Sequence, residues 1–519
     1  MLKSYVNEPL TDFSDQANVD AFWAALEQVK GEVGRSYPLV IDGEAIMLDE
    51  QFASVNPARP DEVVGNFANG MAQHVDHAVE AASKAFETWK HVPVEERARY
   101  LLRAAAEMRR RKHEFSAVMV LEVGKSWVEA DADTAEAIDF LDYYARQMVD
   151  LADSSGSLVP YLPEQLQLQY IPLGVGAVIP PWNFPCAIAA GMMSAALVAG
   201  NTVVWKPAEQ SPWIAYKVAE LFWNAGLPAG VLNYLTGPGE VVGARMVEHP
   251  KTRFVAFTGS REVGVQIYEN AARVQPGQKW LKRAILEMGG KDAVVVDETA
   301  DLEDAARGIV ASAFGFQGQK CSAGSRAIIV DAVYDQVCDR VVELARELTV
   351  GATDTGPDVY MGPVVDTDAL NKIMKYIEIG TEEGELLLGG QRINTSERGY
   401  FIQPTIYGEI GREARIAKEE IFGPVLALMR AETFDDALDI ANDTDYGLTG
   451  AVYTNDRARM EQARQEYHVG NLYLNRKCTG ALVGVHPFGG FNMSGTDSKA
   501  GGPDYLLLFT QAKSIAEKL

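Results

Sequence analysis

The sequence predicts an α/β fold with parallel sheets, because short apolar segments alternate with helical segments along most of the chain. This alternation is typical of right-handed βαβ units, in which consecutive strands lie parallel. A second cycle of the same kind runs from about Gly289 to about Gly484. The 519 residues are enough for about three domains. The first cycle has β-rich segments at 176–179, 202–205, 231–234 and 253–256, with a helix at 214–224 between two of them.

The region before residue 150 is predicted to be helical. Apolar residues recur there at helical spacing in three stretches, and Pro93 separates the first two. The three apolar faces are Val79, Ala82, Phe86 and Trp89; Ala98, Leu101, Leu102, Ala105 and Met108; and Ala135, Ile138, Leu141, Ala145 and Met148.

Two segments are predicted to be strands outside these cycles. Residues 165–170 alternate strictly between polar and apolar side chains, which indicates a half-exposed strand. Residues 505–509, near the C-terminus, are uniformly apolar and are predicted to form another strand. Such a strand is costly to leave exposed and favours pairing with a second chain. We therefore expect a homo-oligomer, at least a dimer.

Charge and composition exclude several classes of protein. The formal net charge of −25 argues against a nucleic-acid groove, which needs clustered basic residues. The longest nearly apolar stretch, residues 187–200, is shorter than the roughly 20 residues that span a bilayer, so no membrane partner is predicted. No export signal is evident in residues 1–13. The four cysteines lack CxxC or zinc spacing, so we predict a cytoplasmic protein with reduced thiols and no metal site.

Cys321 is the candidate nucleophile. It lies in a loop of small and polar residues directly after an apolar-periodic helix at 302–314. Glutamine, lysine, serine and glycine flank it, a setting that suits the approach of a ligand more than an inert buried thiol does. Glu287, at a boundary between a strand and a glycine turn, is a possible partner for activating water. On the loop alone, an inert thiol is an equal alternative.

Three further motifs follow predicted strands, where ligands bind in open α/β sheets. Gly259 and Ser260 open a helix and are placed to hold a phosphate at its N-terminus, with a plain tight turn as an equal alternative. Lys206 and Glu209 are placed to bond ribose hydroxyls, although a solvated ion pair is the simpler interpretation. Asn183 is a donor for a developing oxyanion, with a helix cap as the alternative.

Two more motifs join glycine turns to aromatic residues. Glu420 and Phe422 lie in one, at 419–424, and Phe488 lies in the other, at 487–491. Core packing explains either motif equally well. None of the seven histidines neighbours Cys321 in sequence, so nothing favours a Cys–His hydrolase that works without a cofactor.

Taken together and in this order, the motifs resemble the aldehyde dehydrogenase superfamily from about Tyr37 to the C-terminus. The ordered set PWNFP, KPAEQ, FTGS, EMGGK, GQKCS, EEIFGPV and PFGG carries the resemblance. It implies that Cys321 is the nucleophile, that Asn183 and the Cys321 amide form the oxyanion hole, and that Glu287 is the general base. It also implies an NAD site, with Lys206, Glu209, Gly259 and Ser260 at the adenosine and phosphates and Glu420 and Phe422 at the nicotinamide ribose.

The resemblance also implies a domain plan: a Rossmann-like NAD-binding domain, an α/β catalytic domain and a small β oligomerisation flap. We assign the NAD-binding domain to 1–155 with 173–287 and 485–502. The catalytic domain takes 288–484, and the oligomerisation strands take 156–172 with 503–519. Glu209 favours NAD over NADP, because a carboxylate repels a 2′-phosphate.

A narrower resemblance is to the 1-pyrroline-5-carboxylate dehydrogenase family, carried by residues 131–140, 478–481 and 487–505. It implies NAD-dependent oxidation of L-glutamate γ-semialdehyde to L-glutamate in proline catabolism. The alternatives are another aldehyde, such as succinate semialdehyde, or a non-catalytic nucleotide-binding protein. The resemblance places the substrate carboxylate on Ser322, Gly480 and Ala481, its chain between Phe184 and Phe488, and its ammonium group near Glu136.

Overall fold

The computed structural model describes residues 4–152, 158–396 and 398–519. The described helices are amphipathic or fully buried, and the first five precede most of the sheet strands. The helices are α1 Gln16–Lys30, α2 Ala72–Trp89, α3 Val94–Arg110, α4 Lys112–Val123, α5 Trp127–Ala152, α6 Ala187–Val198, α7 Pro212–Asn224, α8 Ala244–Glu248, α9 Arg261–Ala272, α10 Leu302–Phe314, α11 Tyr334–Arg346, α12 Thr367–Glu383, α13 Arg415–Lys418, α14 Phe434–Asn442 and α15 Arg457–Glu466.

The strands form two large sheets and several small ones. They are β1 Arg35–Tyr37, β2 Leu39–Ile41, β3 Glu44–Ile46, β4 Gln51–Asn56, β5 Arg59–Ala68, β6 Glu164–Pro172, β7 Val175–Ile179, β8 Thr202–Trp205, β9 Leu232–Tyr234, β10 Thr252–Thr258, β11 Arg283–Glu287, β12 Asp292–Val296, β13 Gly324–Val330, β14 Glu385–Leu388, β15 Arg392–Ile393, β16 Phe401–Ile402, β17 Thr405–Gly408, β18 Val425–Ala431, β19 Tyr446–Gly447, β20 Thr449–Tyr453, β21 Asn471–Leu474, β22 Phe491–Asn492 and β23 Thr510–Lys518.

The first large sheet has the strand order β11-β10-β7-β8-β9-β2-β3. The five strands from β11 to β9 are parallel, and β2 and β3 continue the edge antiparallel. Each parallel strand is a short apolar run because helices cover both faces of the sheet. The helices before residue 150 pack against it in one large core that includes Trp89, Trp127 and Trp205. The prediction that this whole region is helical was wrong for residues 35–68, which form the five strands β1 to β5.

The second large sheet has the order β14-β17-β18-β13-β12-β20-β21 and is parallel except for its edge strand β14. Helices α10 and α11 pack on one face with the core of Ile309 and Val337. Helices α12 and α14 pack on the other face with Ile373 and Leu438. Two helix-covered parallel sheets confirm the predicted α/β class. The domain boundaries remain a prediction, and the boundary at 155–156 lies outside the described residues.

The C-terminal strand lies later in the chain than predicted. Residues Tyr505–Phe509 form a 3-10 helix, and the strand is β23, paired antiparallel with β6 over nine residues. Tyr505 stacks on Tyr144 at 5.5 Å, and Phe509 packs edge-on against Phe254 at 5.4 Å. The apolar run is therefore core, and the prediction for 505–509 was wrong. The more polar residues of β23 suit a ribbon with both faces exposed.

The parallel strands of the first sheet bring their carboxyl ends to one edge. Strand β7 ends at Ile179, β8 at Trp205, β10 at Thr258 and β11 at Glu287. Because parallel strands share a direction, the loops that follow them meet above the same edge of the sheet. This edge carries the candidate site.

A fully buried ion pair fixes the helices beside this edge. Lys125 Nζ lies 2.8 Å from Asp133 Oδ2, and both side chains are 0% exposed. Asp133 Oδ1 accepts a hydrogen bond of 2.7 Å from the backbone amide of Ala187 at the start of α6. The Lys125 ammonium also lies 4.1 Å from the centre of the Phe184 ring. The pair therefore ties α5 to the loop that carries Asn183.

Lys125→Met is expected to destabilise the fold by about 3–5 kcal/mol, because it leaves the Asp133 carboxylate buried without its cation. Urea unfolding measures the change. Lys90→Ala is the control, since Lys90 pairs with the exposed Glu87 and its loss is expected to cost about 0.5 kcal/mol or less. Equal losses for the two variants would contradict this account of the buried pair.

Candidate active site

Cys321 lies at the junction of two cavities. One cavity is lined by Glu287 and by all six predicted substrate-binding residues. The other is lined by Asn183 and by all six predicted cofactor-binding residues. Cys321 and Thr258 line both cavities. The half-buried thiol is thus accessible from two sides, an arrangement suited to a group that reacts with one ligand beside another.

The loop before Cys321 is held by buried glutamines. Gln317 donates hydrogen bonds to the carbonyls of Gly124 at 3.2 Å and Pro363 at 2.8 Å. Gln319 Oε1 accepts a bond of 3.0 Å from the amide of Val365. Both glutamines are buried, so they anchor the loop instead of lining it for a ligand, as their polarity had suggested.

The backbone of this loop is strained. Phe316 and Gln317 have φ angles of 48° and 56°, in the left-handed region that residues other than glycine rarely adopt. Such conformations persist only where the surroundings enforce them, and they concentrate at functional sites. The two hydrogen bonds that the buried Gln317 side-chain amide donates hold the backbone in this conformation.

Gly290 allows the connection between β11 and β12 to pass against the nucleophile loop. A Cβ atom at this position would lie 2.5 Å from the carbonyl oxygen of Cys321. At its neighbour Gly289, a Cβ would lie 2.2 Å from a carboxylate oxygen of Glu420, a side-chain atom that would have to move. These close contacts explain why the EMGGK motif has glycine at both positions.

The surroundings of Cys321 favour the neutral thiol. Burial raises the pKa of Cys321 well above its usual range, and the negative charges of Asp292, Glu420 and Glu287 raise it further. A thiolate is the reactive form. Formation of the thiolate therefore needs a proton acceptor or a compensating positive charge.

Glu287 has the environment of a general base. It ends β11, and its carboxylate accepts hydrogen bonds from the hydroxyl of Ser498 and, at 3.3 Å, from the amide of Gly490. Burial raises the pKa of Glu287 to about 8, although both hydrogen bonds lower it. A carboxyl group with a pKa near the working pH both takes and returns protons efficiently.

Asn183 lies in the loop between β7 and α6 and is buried. Its Nδ2 donates a hydrogen bond of 3.1 Å to the carbonyl of Gln319, two residues before Cys321. The amide has a second hydrogen for another acceptor. Cys186, not Asn183, precedes the first residue of α6, so the alternative interpretation as a helix cap was wrong.

The predicted cofactor residues line one cleft. Lys206 is buried and bonds Glu209 Oε1 at 2.9 Å, so the simpler interpretation as a solvated pair does not hold for the lysine. Ser260 caps α9 by accepting a bond of 3.3 Å from Val263. Gly259 has no room for a side chain, because a Cβ would lie 2.4 Å from the Phe257 ring.

Glu420 and Phe422 also line this cleft. Glu420 Oε1 accepts a hydrogen bond of 3.0 Å from the amide of Gly290, and burial raises the pKa of this carboxyl. Phe422 has a φ of 61° and packs edge-on against Trp182 at 5.5 Å. Cationic, anionic and amide groups along one cleft suit a dinucleotide with phosphates and ribose hydroxyls.

The cavity with Glu287 and the predicted substrate-binding residues also has aromatic side chains on its wall. Phe184 and Phe488 line it, with Ser322, Gly480 and Ala481 also on its surface. Gly480 has a φ of 77°, which suits glycine. Sequence reasoning did not assign several apolar wall residues to the site, because apolar side chains in helical stretches or in the apolar run at 505–509 are also typical of a core: Phe140, Tyr144, Ile188, Met192 and Tyr505.

Glu136 also faces this cavity. Burial, and then the negative charge of Asp133, raise the pKa of Glu136 to about 8. A cationic ligand group beside it would favour the ionised carboxylate. Sequence reasoning did not assign Gly239, Trp182 and Lys372 to the cofactor cleft, although Trp182 lies in the PWNFP motif.

The described residues contain neither a candidate membrane span nor a candidate metal site. No helix in the described ranges is long and apolar enough to cross a bilayer. Over the same ranges, no cluster of three or more His, Cys, Asp or Glu residues is arranged to hold a metal ion.

The sequence matches one family of enzymes. The aldehyde dehydrogenase family model matches residues 46–515. The chain therefore belongs to the aldehyde dehydrogenase family, as its ordered motifs predicted.

Within that family the chain is similar to 1-pyrroline-5-carboxylate dehydrogenases. It is 60% identical to the 1-pyrroline-5-carboxylate dehydrogenase of Geobacillus thermodenitrificans over 518 residues, which cover 100% of both chains. It is 57% identical to 1-pyrroline-5-carboxylate dehydrogenase 2 of Bacillus subtilis, again over 100% of both. A structure of 1-pyrroline-5-carboxylate dehydrogenase from Thermus with bound NAD has a TM-score of 0.98 and 52% identity, with 100% of both chains covered.

Gly290→Ala is expected to displace the Cys321 loop, because the new Cβ cannot lie 2.5 Å from a carbonyl oxygen. Displacement admits water, lowers the thiol pKa and speeds alkylation by iodoacetamide. The other three cysteines are buried, so native alkylation reports Cys321. We also expect a loss of stability of about 1–3 kcal/mol.

Gly411→Ala is the matched control for this variant. Gly411 is exposed, and no atom lies within 4 Å of its added Cβ. Alkylation rates and unfolding midpoints that are the same in Gly290→Ala and Gly411→Ala would show that the close approach at Gly290 has no consequence.

Proposed function

We propose that this chain oxidises L-glutamate γ-semialdehyde, formed from 1-pyrroline-5-carboxylate, to L-glutamate with NAD, as a step of proline catabolism. One observation carries the proposal: a cysteine opens onto an aromatic-walled cavity on one side and, on the other, onto a cleft lined by all six predicted cofactor-binding residues. Full-length identity of 60% to a 1-pyrroline-5-carboxylate dehydrogenase supports the same substrate.

The residues of the cleft fit NAD. Lys206 and Glu209 would bond the adenosine ribose, and Gly259 and Ser260 at the N-terminus of α9 would hold the phosphates. Glu420, with Phe422 beside it, would accept hydrogen bonds from the nicotinamide ribose. When bound, NAD supplies the acceptor for the hydride that leaves the substrate carbon.

The protein's own residues supply the remaining steps. The Cys321 sulfur attacks the aldehyde carbon after the thiol loses its proton, to Glu287 or to water. The second Asn183 amide hydrogen and the Cys321 backbone amide stabilise the oxyanion of the thiohemiacetal. Loss of hydride leaves a thioester on Cys321. Glu287 then takes a proton from water, and the resulting hydroxide releases the carboxylate product.

The cavity lined by Glu287 and the predicted substrate-binding residues would recognise the substrate. Backbone amides of a glycine turn bind anions without a cationic side chain, so Ser322, Gly480 and Ala481 would hold the α-carboxylate. Phe184 and Phe488 would flank the methylene groups. Glu136 would pair with the ammonium group.

We also propose a homo-oligomer and a cytoplasmic location. The β6–β23 ribbon exposes most of its side chains on both faces, and its edges offer unpaired backbone groups to a second copy of the chain. All four cysteines are free thiols, which suits a reducing compartment.

Steady-state kinetics on a panel of aldehydes tests the function. The panel contains L-glutamate γ-semialdehyde, succinate semialdehyde and a simple aliphatic aldehyde, each with NAD and with NADP. We expect the highest kcat/KM for L-glutamate γ-semialdehyde with NAD. A higher kcat/KM for succinate semialdehyde would overturn the substrate assignment but retain the chemistry.

Variants of the nucleophile and the oxyanion donor are expected to lose activity in different ways. Cys321→Ser should abolish NADH production. Asn183→Ala should lower kcat by about 100- to 1,000-fold, because it removes one oxyanion donor. Thermal unfolding in the presence of NAD checks that both variants still bind cofactor. Normal NADH production by Cys321→Ser would refute the assignment of the nucleophile.

Glu209→Gln is expected to improve NADP binding relative to NAD by about fivefold, since two unit charges repel by about 1 kcal/mol at 4 Å in water. Calorimetric titration with each cofactor measures the ratio. Glu27→Gln is the control, as a surface carboxylate remote from the cleft lining. An unchanged ratio in Glu209→Gln would exclude Glu209 as the determinant of cofactor choice.

A further inference from the structure

A C-terminal segment, residues 494–498, is hydrogen-bonded to the end of β11, where Glu287 lies. The amide of Met288 donates to the carbonyl of Ser494 at 2.7 Å. The carbonyl of Leu286 accepts a hydrogen bond of 3.0 Å from the amide of Thr496. The amide of Leu286 donates a second bond of 3.0 Å to Thr496 Oγ1. These bonds hold the segment in register with β11. They bring Ser498 to Glu287 across 211 positions of sequence.

Ser498 makes the closest polar contact to Glu287. Its hydroxyl donates to Glu287 Oε1, whereas the amide of Gly490 reaches Oε2 at the longer distance of 3.3 Å. Ser498 is only 2% exposed, so water does not compete freely for its hydroxyl. A hydroxyl placed in this way donates to a carboxylate but must turn its hydrogen elsewhere when that oxygen carries a proton.

We infer that Ser498 is a positioning residue for Glu287: its buried hydroxyl, donating to Glu287 Oε1, favours the ionised carboxylate that hydrolysis needs. This inference rests on the proposed function, in which Glu287 activates the water that attacks the thioester. The water gives one proton to Glu287 and its oxygen bonds to the acyl carbon. The carbon–sulfur bond breaks, the pair of electrons stays on sulfur, and the proton held by Glu287 restores the Cys321 thiol.

Other charged and titratable groups around Glu287 act in both directions. The Lys499 ammonium favours the ionised carboxylate, and Asp497 opposes it. Cys321 and Tyr505 also face Glu287, and its charge raises the pKa of both. Lys499 is itself fixed by donating to the carbonyls of Gly470 and Gly489, so it also supports the turn that presents the Gly490 amide.

Burial of Glu287 raises its pKa, and Ser498 provides the largest opposing influence. Hydrolysis needs the ionised form, so its rate falls as the pH drops through the pKa of Glu287. Removing the hydroxyl raises that pKa further. The acidic limb of the pH profile, where the hydrolysis rate falls as the pH drops, then moves to higher pH. At pH values far above the pKa of Glu287 the rate is unchanged.

The test compares Ser498→Ala with Ser498→Thr, which keeps the hydroxyl. Ser116→Ala is the matched control, because Ser116 is also buried and its hydroxyl bonds Lys112 and Thr134 within the helical region. The initial burst of NADH and the subsequent steady rate are measured for each variant on both sides of the acidic limb, with L-glutamate γ-semialdehyde and NAD.

For Ser498→Ala we expect a full burst and a steady rate about tenfold lower at neutral pH, with the limb moved up by about one pH unit. At high pH the steady rate should recover to that of the wild type, and Ser498→Thr should restore the wild-type limb. An unmoved limb, a loss that is the same at every pH, or faster hydrolysis in Ser498→Ala would each overturn the inference.

A second measurement does not depend on turnover. The carboxyl infrared band of Glu287, identified by its disappearance in Glu287→Gln, is titrated in the wild type and in Ser498→Ala. The midpoint should rise in the variant, and an equal midpoint would overturn the inference even if the substrate assignment were correct. Failure of the wild type to reduce NAD with any aldehyde would instead count against the proposed function.

Discussion

The proposed chemistry of this chain depends on the sulfur of Cys321, which lies half-buried at the junction of two cavities. Burial and three neighbouring carboxyl groups favour the neutral thiol, so the resting site holds little reactive thiolate. The surroundings must therefore supply a proton acceptor close by, and Glu287 lines the same cavity. The turn that places the thiol there is strained at Phe316 and Gln317, and the hydrogen bonds of Gln317 to two backbone carbonyls hold it in that conformation.

Burial acts on the acidic groups of the site as it does on the thiol. It raises the pKa of both Glu287 and Glu136 to about 8. The two carboxyls differ in their partners. Ser498 and the amide of Gly490 donate hydrogen bonds to Glu287, whereas Glu136 faces Asp133 and the open cavity. One is therefore equipped to cycle between protonation states, and the other to respond to the charge of a ligand.

Much of the fold follows from local patterns in the sequence. Helical spacing from Val79 to Met148 and the β-rich segments of both cycles correspond to α2, α3, α5 and the strands of the two sheets. The ordered motifs predicted the family, and the match to residues 46–515 confirms it. The prediction for 505–509 failed because an apolar run reads equally as an exposed edge strand or as core, and only the packing on Tyr144 and Phe254 distinguishes them.

The parts that could not be predicted are contacts between distant positions. Ser498 and Glu287 are 211 residues apart, and neither local sequence indicates the other. Gln317 and Gln319 looked like ligand-facing polar residues, yet they are buried anchors whose partners are backbone groups on other elements. The motifs located the candidate residues, but the residues that position them became visible only from the folded arrangement.

The central claim is that Cys321 carries the acyl group between oxidation and hydrolysis. Rapid acid quenching of the wild-type enzyme during turnover of L-glutamate γ-semialdehyde with NAD, followed by mass spectrometry of its peptides, tests this claim directly. Acid protonates Glu287 and stops hydrolysis, so a glutamyl thioester should be found on the peptide that contains Cys321. An unmodified Cys321 peptide during active NADH production, or an acyl group on another residue, would contradict the claim.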